Sequence, residues 1–292
     1  MARPEPEVHA PFRVASSGPG HYSRVTDSRW EGPRAPIERI LAATDGSRYG
    51  EHAAAVGYAL AQRADGEFAR VSVETGDDAT GRVPDWAGGS TTGGGILSRI
   101  RGLPGVEIVR HAESWGADLV VLGRHGCSPD RPCPLGRTAD AVIRRRSSLT
   151  LFVPPEVQTI RHATIALDGS LRGLGVLGPA AAFLNFTGAR AGAICVLPGT
   201  RDEGTDGTGW RDPRSERACA LVERLELDSG PCQLLVRWGA PVPEILQAIR
   251  DTDSNLLVLG VRRGGQRGDS GSGYVGRELL KSAPCAVLTV PI

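Results

Sequence analysis

A surplus of charge of either sign is the first thing this sequence lacks. Its 34 Lys and Arg nearly balance 33 Asp and Glu, for a formal net charge of +1, so no broad field exists to hold a nucleic-acid backbone or an anionic membrane. No apolar run approaches the ~20 residues a bilayer span needs, and the opening MARPEPEVHA has no apolar stretch of a secretory signal. The expectation is a cytoplasmic protein with neither nucleic acid nor membrane as partner. Cysteine is scarce and scattered, six in all. Cys195 and Cys285 fall in apolar runs that read as buried strands, where a thiol acts as a small hydrophobe, so a disulfide framework is not expected. No Ser, His and Asp set and no carboxylate pair can be located, so no catalytic machine is nominated. Residues 1–36, with Pro4, Pro6, Pro11, Pro19, Pro33 and Pro36 among polar neighbours, show neither helical nor strand period and are expected to form a disordered arm.

What is present is length and repetition. At 292 residues the chain is about twice the ~150 of one domain, and its 40% apolar content suffices for two cores. Ala43-Thr44-Asp45-Gly46-Ser47 returns as Ala166-Leu167-Asp168-Gly169-Ser170, and Gly50 as Gly173, at an offset of 123. Further on the offset is 137: Gly102 and Pro104 return as Gly239 and Pro241, Glu107-Ile108 as Glu244-Ile245, and Leu122-Gly123 as Leu259-Gly260. The second copy therefore holds 14 more residues between its second and third strands, about one helix.

Composition locates that helix. Ala218, Leu221, Val222 and Leu225 follow Asp212-Pro213 as one apolar stripe, which predicts a helix over 212–227. The matching stretch of the first copy, Thr75 to Gly95, carries seven glycines and Pro84, a penalty of roughly 10 kcal/mol as a helix. It is expected to be a loop, leaving part of a sheet face uncovered. On the strand before it Arg70 and Ser72 alternate with Ala69, Val71 and Val73, the pattern of a strand wet on one face, whereas Ala193 to Leu197 is apolar throughout. Strands at 163–168, 191–197, 232–238, 255–260 and 285–290 alternate with helices at 172–186, 212–227, 242–251 and 274–281. That order predicts α/β architecture with parallel strands and helices on both faces. Ligands of such sheets lie at the carboxyl ends of the strands.

The loop after the fourth strand reads Gly123-Arg124-His125-Gly126, then nine residues, then Gly136-Arg137-Thr138 opening a helix. Glycines permit close backbone approach, and bare amides at a helix start attract anions, so a phosphate chain is the natural guest. The same 13-residue interval separates Gly260 from Gly273 in the second copy. His125, Cys127 and Cys133 suggest a metal site but lack a fourth ligand and an established spacing. Arg144-Arg145-Arg146 ends a short helix, where cations suit the helix dipole and water, an alternative to nucleic-acid contact.

These residues resemble the universal stress protein family. The likeness rests on the Asp-Gly-Ser after the first strand, the strand Ala117 to Gly123, the Gly-x2-Gly-x9-Gly signature and the closing Ala283 to Leu288. It implies two tandem Rossmann-like domains, 37–154 and 160–292, each a five-stranded parallel sheet, the first without its second helix. It also implies ATP or AMP binding, with Mg2+ where a metal accompanies the nucleotide, and pairing through the last strand. Asp45 and Asp168 inherit a place beside nucleotide and metal, next to Ala43 at the strand end. Gly123, His125, Gly126 and Gly136, with Gly260, Gly264 and Gly273, inherit the ribose and phosphates. Two departures stand against the pattern. The usual Gly-Ser or Gly-Thr is Gly136-Arg137 here, with Thr138 one place late, although Arg137 could add a bond to phosphate. The second copy shifts its middle glycine to Gly264 and places Tyr274 after Gly273.

Three readings follow. The first is a stress-response regulator binding an adenine nucleotide mainly in the first copy. The second is a scaffold with degenerate sites, contacting a protein partner through the uncovered face and the arm. The third, a phosphotransferase, has no visible nucleophile. Asp45 and Asp168 have a plainer role open to them as helix caps. Either an internal pseudo-dimer or a homodimer fits the pairing.

Overall fold

Strands and helices alternate from the first described residue. The computed structural model describes residues 37–75, 96–124, 135–145, 148–199, 212–261 and 272–292. The first copy runs β1 (Arg39–Ala43), α1 (Arg48–Arg63), β2 (Glu67–Glu74), β3 (Ile96–Arg101), α2 (Pro104–Trp115), β4 (Leu119–Gly123), α3 (Arg137–Arg145) and β5 (Leu149–Val153). The second runs β6 (His162–Leu167), a 3-10 turn (Gly173–Val176) continuing into α4 (Leu177–Thr187), β7 (Arg190–Leu197), α5 (Pro213–Val222), β8 (Gln233–Trp238), α6 (Pro241–Asp251), β9 (Leu256–Val261), α7 (Ser272–Ser282) and β10 (Ala286–Pro291).

Ten strands form one sheet in the order β3-β2-β1-β4-β5-β10-β9-β6-β7-β8. Neighbours are parallel within each copy, and the copies meet through the antiparallel pair β5–β10. Each half has the doubly wound order in which the direction of winding reverses between the first and fourth strands, here β1/β4 and β6/β9. The register reproduces both sequence offsets. Arg39 lies opposite Glu67 and His162 opposite Arg190, so both members differ by 123. Leu119 lies opposite Leu149 and Leu256 opposite Ala286, so both differ by 137. Leu151 faces Leu288, its own equivalent at 137, and this pair marks a pseudo-twofold axis through the middle of the sheet.

Apolar continuity makes the central strands. Leu119 to Leu122 and Leu256 to Leu259 are buried on both faces, as unbroken aliphatic runs require. One core layer joins α1, the 3-10 turn, α4 and α5 to the sheet; the other joins α2, α3, α6 and α7, and both layers run through both copies.

Two expectations are corrected. Arg70 is not on a wet face: it is only 7% exposed, because Glu51 arrives from α1 with both carboxylate oxygens within 2.7 Å of Arg70 Nη2. The helix expected over 212–227 ends at Val222. Leu225 is buried nonetheless, because the chain leaves α5 in tight turns, with the Leu225 amide donating to the Val222 carbonyl at 3.0 Å. The arm (1–36) and the glycine-rich stretch after β2 (76–95) lie outside the described residues.

Candidate functional site

At the first copy's reversal point the carboxyl ends of β1 and β4 diverge and leave a cleft of about 160 Å³. Ala43, Thr44 and Asp45 line it from β1, Leu122, Gly123 and Arg124 from β4, and Val71 and Val73 from β2. Gly136, Arg137 and Thr138 face them from the start of α3.

Local hydrogen bonds set this arrangement. Asp45 is exposed, and its Oδ1 accepts the Ser47 amide at 3.0 Å. Ser47, not Asp45, caps α1, its Oγ accepting the Gly50 amide at 3.1 Å. The excursion after β4 is closed at its neck, where the Gly136 amide donates to the Arg124 carbonyl at 3.3 Å, and α3 begins as the Asp140 amide donates to Gly136 at 3.0 Å. The first-turn amides of α3 have no acceptor within their own helix and carry the positive end of its dipole toward the cleft. Ala43, Asp45, Gly123, Gly136, Arg137 and Thr138 are thus brought to one mouth. His125 and Gly126, and with them Cys127 and Cys133, lie outside the described residues.

The second copy builds its counterpart differently. Asp168 Oδ1 accepts both the amide and the hydroxyl of Ser170, at 2.9 and 2.7 Å. The N-terminus of α5 sits on this turn: Arg217 Nη2 donates to the Gly169 carbonyl at 3.2 Å, and a Cβ on Gly169 would fall 2.5 Å from Arg214 Cβ. Gly260, at the end of β9, is covered by the Ile292 side chain. Gly273 stands in the first turn of α7, and Gly264 lies outside the described residues. Among the described residues no three His, Cys, Asp or Glu side chains cluster as a metal-ligand set.

Two features escaped the sequence reading. Arg124 is buried, and its Nη1 reaches the Ala283 carbonyl of the other copy and, at 3.5 Å, that of Cys285. Burial draws its guanidinium below the usual range. The same crowding pushes the Cys285 thiol up to about 12. The second feature is the set of buried Thr44 and Arg70 joined through half-buried Glu51. A comparison at the offset of 123 would have found it, since the equivalents are Leu167, Leu174 and Ala193.

A family profile, the universal stress protein family, matches residues 96–154 and 159–291. The chain belongs to the universal stress protein family. The matched segments contain Gly123, Gly136, Asp168, Gly260 and Gly273, whereas Asp45 precedes the first of them. A universal stress protein from Archaeoglobus fulgidus DSM 4304 superposes with a TM-score of 0.66 at 16% identity, over 87% of this chain and 98% of its own. A functionally unknown protein from Pseudomonas aeruginosa PAO1 does so with a TM-score of 0.64 at 15% identity, over 87% and 92%. At these identities the likeness establishes the tandem universal stress protein fold. No curated protein sequence matches the chain. Among the described residues no helix is long and apolar enough to cross a membrane.

Proposed function

We propose that this universal stress protein is a stress-response regulator that binds an adenine nucleotide, ATP or AMP, at the mouth of its first domain. The observation that carries the reading is the convergence, at one reversal point, of Asp45, the Gly123 strand end and the first turn of α3 at Arg137 and Thr138, whose amides have no acceptor within their own helix. Amides and a helix dipole suit phosphate, and Arg137 at the rim adds a guanidinium that can bind it bidentately. Asp45, exposed at the lip, is the group to hold a Mg2+ that arrives with ATP. The domains are taken as 37–154 and 160–292, in a cytoplasmic protein.

The alternative, a scaffold with a degenerate site, is assigned to the second domain alone. There α5 is seated on Gly169, and Asp168 is engaged by Ser170. A nucleotide regulates only if it binds two arrangements of the protein unequally, and one site per chain makes the two domains unequal from the outset.

Thermal denaturation with Mg-ATP and with AMP tests this. Ligand at 100 times its dissociation constant adds about 2.7 kcal/mol to the folded state. The wild type and Asp168→Ala should both rise in Tm, and Asp45→Ala should rise much less with Mg-ATP. A flat wild-type response with both nucleotides would sink the proposal, and loss of the shift in Asp168→Ala alone would move the site to the second domain.

A further inference from the structure

We infer that the set of Thr44, Glu51 and Arg70 is a positioning device, which holds the turn carrying Asp45 in the shape the first-domain mouth requires. Its consequence for ligand rests on the nucleotide reading of that mouth; its geometry does not.

Arg70 projects from β2 into the sheet face covered by α1, and both oxygens of Glu51 meet its Nη2, at 2.7 and 2.6 Å. Arg70 Nε is buried without a partner. Arg70 is out of water while Glu51 stays partly exposed; burying a guanidinium is costly, and apolar residues of similar volume often serve stability as well or better. The second domain demonstrates the apolar solution. At the equivalent places in the same register stand Leu167, Leu174 and Ala193, all buried in the core. The architecture is built there without any ion pair, so the fold as such does not call for this one.

What the set does differently is visible one bond further. Thr44 Oγ1 donates to Glu51 Oε1 at 2.7 Å, which leaves its lone pairs to accept the Gly46 amide at 3.1 Å. Arg70 therefore holds Glu51, Glu51 orients the Thr44 hydroxyl, and the hydroxyl ties down the residue just beyond Asp45. Thr44 and Asp45 both line the cleft, so the chain of bonds ends at its wall. In the second domain Leu167 has no hydroxyl to give. There Asp168 Oδ1 accepts the Ser170 hydroxyl as well as the Ser170 amide, so more of that carboxylate is engaged by its own turn than in Asp45. In the first domain Asp45 Oδ1 accepts the Ser47 amide and no hydroxyl, because the tie to Gly46 is made by Thr44.

The test uses the full chain and three variants: Thr44→Val, Thr44→Ser, and the triple Thr44→Leu, Glu51→Leu, Arg70→Ala, which installs the second domain's own residues. Amide hydrogen exchange at Gly46, measured without ligand, and the Mg-ATP dissociation constant are the readouts. Thr44→Val and the triple variant should stay folded, with Tm equal to or above wild type, while Gly46 exchange rises about tenfold and Mg-ATP binding weakens by a similar factor. Thr44→Ser, which keeps the hydroxyl, should restore both. Unchanged Gly46 exchange in Thr44→Val and in the triple variant overturns the inference. Faster exchange with unchanged affinity overturns its claim on the mouth. If wild-type protein takes up no nucleotide while Gly46 protection still follows the Thr44 hydroxyl, the nucleotide reading fails and the positioning role stands.

Discussion

Gly50 and Gly173, the outlying match of the first repeat segment, stand where the first turn of a helix presses on a strand-end aspartate. A Cβ on Gly50 would lie 2.8 Å from Asp45 Oδ1 and 2.9 Å from Thr44 Oγ1, and one on Gly173 would run into Asp168 Oδ1 and Cγ. Both glycines occupy helical backbone, where alanine ordinarily gains about 1 kcal/mol. Here overpacking reverses the sign. Gly50→Ala and Gly173→Ala should each lower stability by about 1–3 kcal/mol in urea unfolding, with Gly173→Ala the worse because Ser170 already fixes the Asp168 oxygen it meets. A Gly173→Ala protein as stable as wild type would remove this account of the repeated glycine. The cysteines need no such account. Burial pushes Cys195 up to about 11 and Cys232 up to about 12, so these thiols stay protonated at neutral pH and behave as the packing groups their apolar surroundings suggest.

Element boundaries are set by caps more than by stripes, and α5 shows both. Asp212 is its N-cap: Oδ1 accepts the Arg214 amide at 2.8 Å while Oδ2 meets the Arg214 guanidinium at 2.8 Å. The hydrogen-bonded guanidinium holds the Asp212 carboxyl below its usual range. A depressed folded-state pKa means that the carboxylate's stabilisation is complete above the unfolded value of about 3.9 and is lost as pH falls through the lower folded value. Asp212→Ala should therefore cost about 1 kcal/mol at pH 7. The gap to wild type should narrow in urea unfolding as pH falls below 4, and Asp212→Asn should keep most of the cap with a flatter pH response. A pH-independent gap would show that the charge plays no part. The start of α5 was legible because Asp-Pro is a local signal. Its end was not, because the apolar stripe to Leu225 reports burial, and burial continues through the turn after the helix stops at Val222. Arg70 failed to read correctly for a related reason. Alternation along β2 describes one strand, whereas the group that buries Arg70 arrives on α1, 19 residues earlier. The glycine mouth was legible as a place, since its residues are contiguous after β4, but its polar anchor was spread over three elements.

Across the whole molecule the two sequence offsets became the strand register itself, and the least legible part was the seam between the copies. A repeat says which residues are equivalent, not which equivalents touch. At the seam they do touch. Asp140 on α3 and Arg277 on α7 are equivalents at 137, and they form an ion pair at 3.0 Å. Two identical copies would bring like groups together there, so the divergence to opposite charges suits a seam made within one chain. Arg124 strengthens the asymmetry. It crosses to the Ala283 and Cys285 carbonyls, while its own equivalent, Val261, has no charge to send back. Arg124 also lines the first-domain cleft and supplies the carbonyl that closes its loop, so the mouth and the seam share one residue. Arg124→Ala withdraws a charged donor from two buried carbonyls, a loss of about 1–3 kcal/mol. Because both core layers run through both copies, that loss should appear on both sides of the seam. Hydrogen exchange should show β4 and β10 losing protection together, in a single unfolding transition at lower urea. Loss of protection in β4 with β10 unchanged would mean that the crossing bonds do not couple the halves.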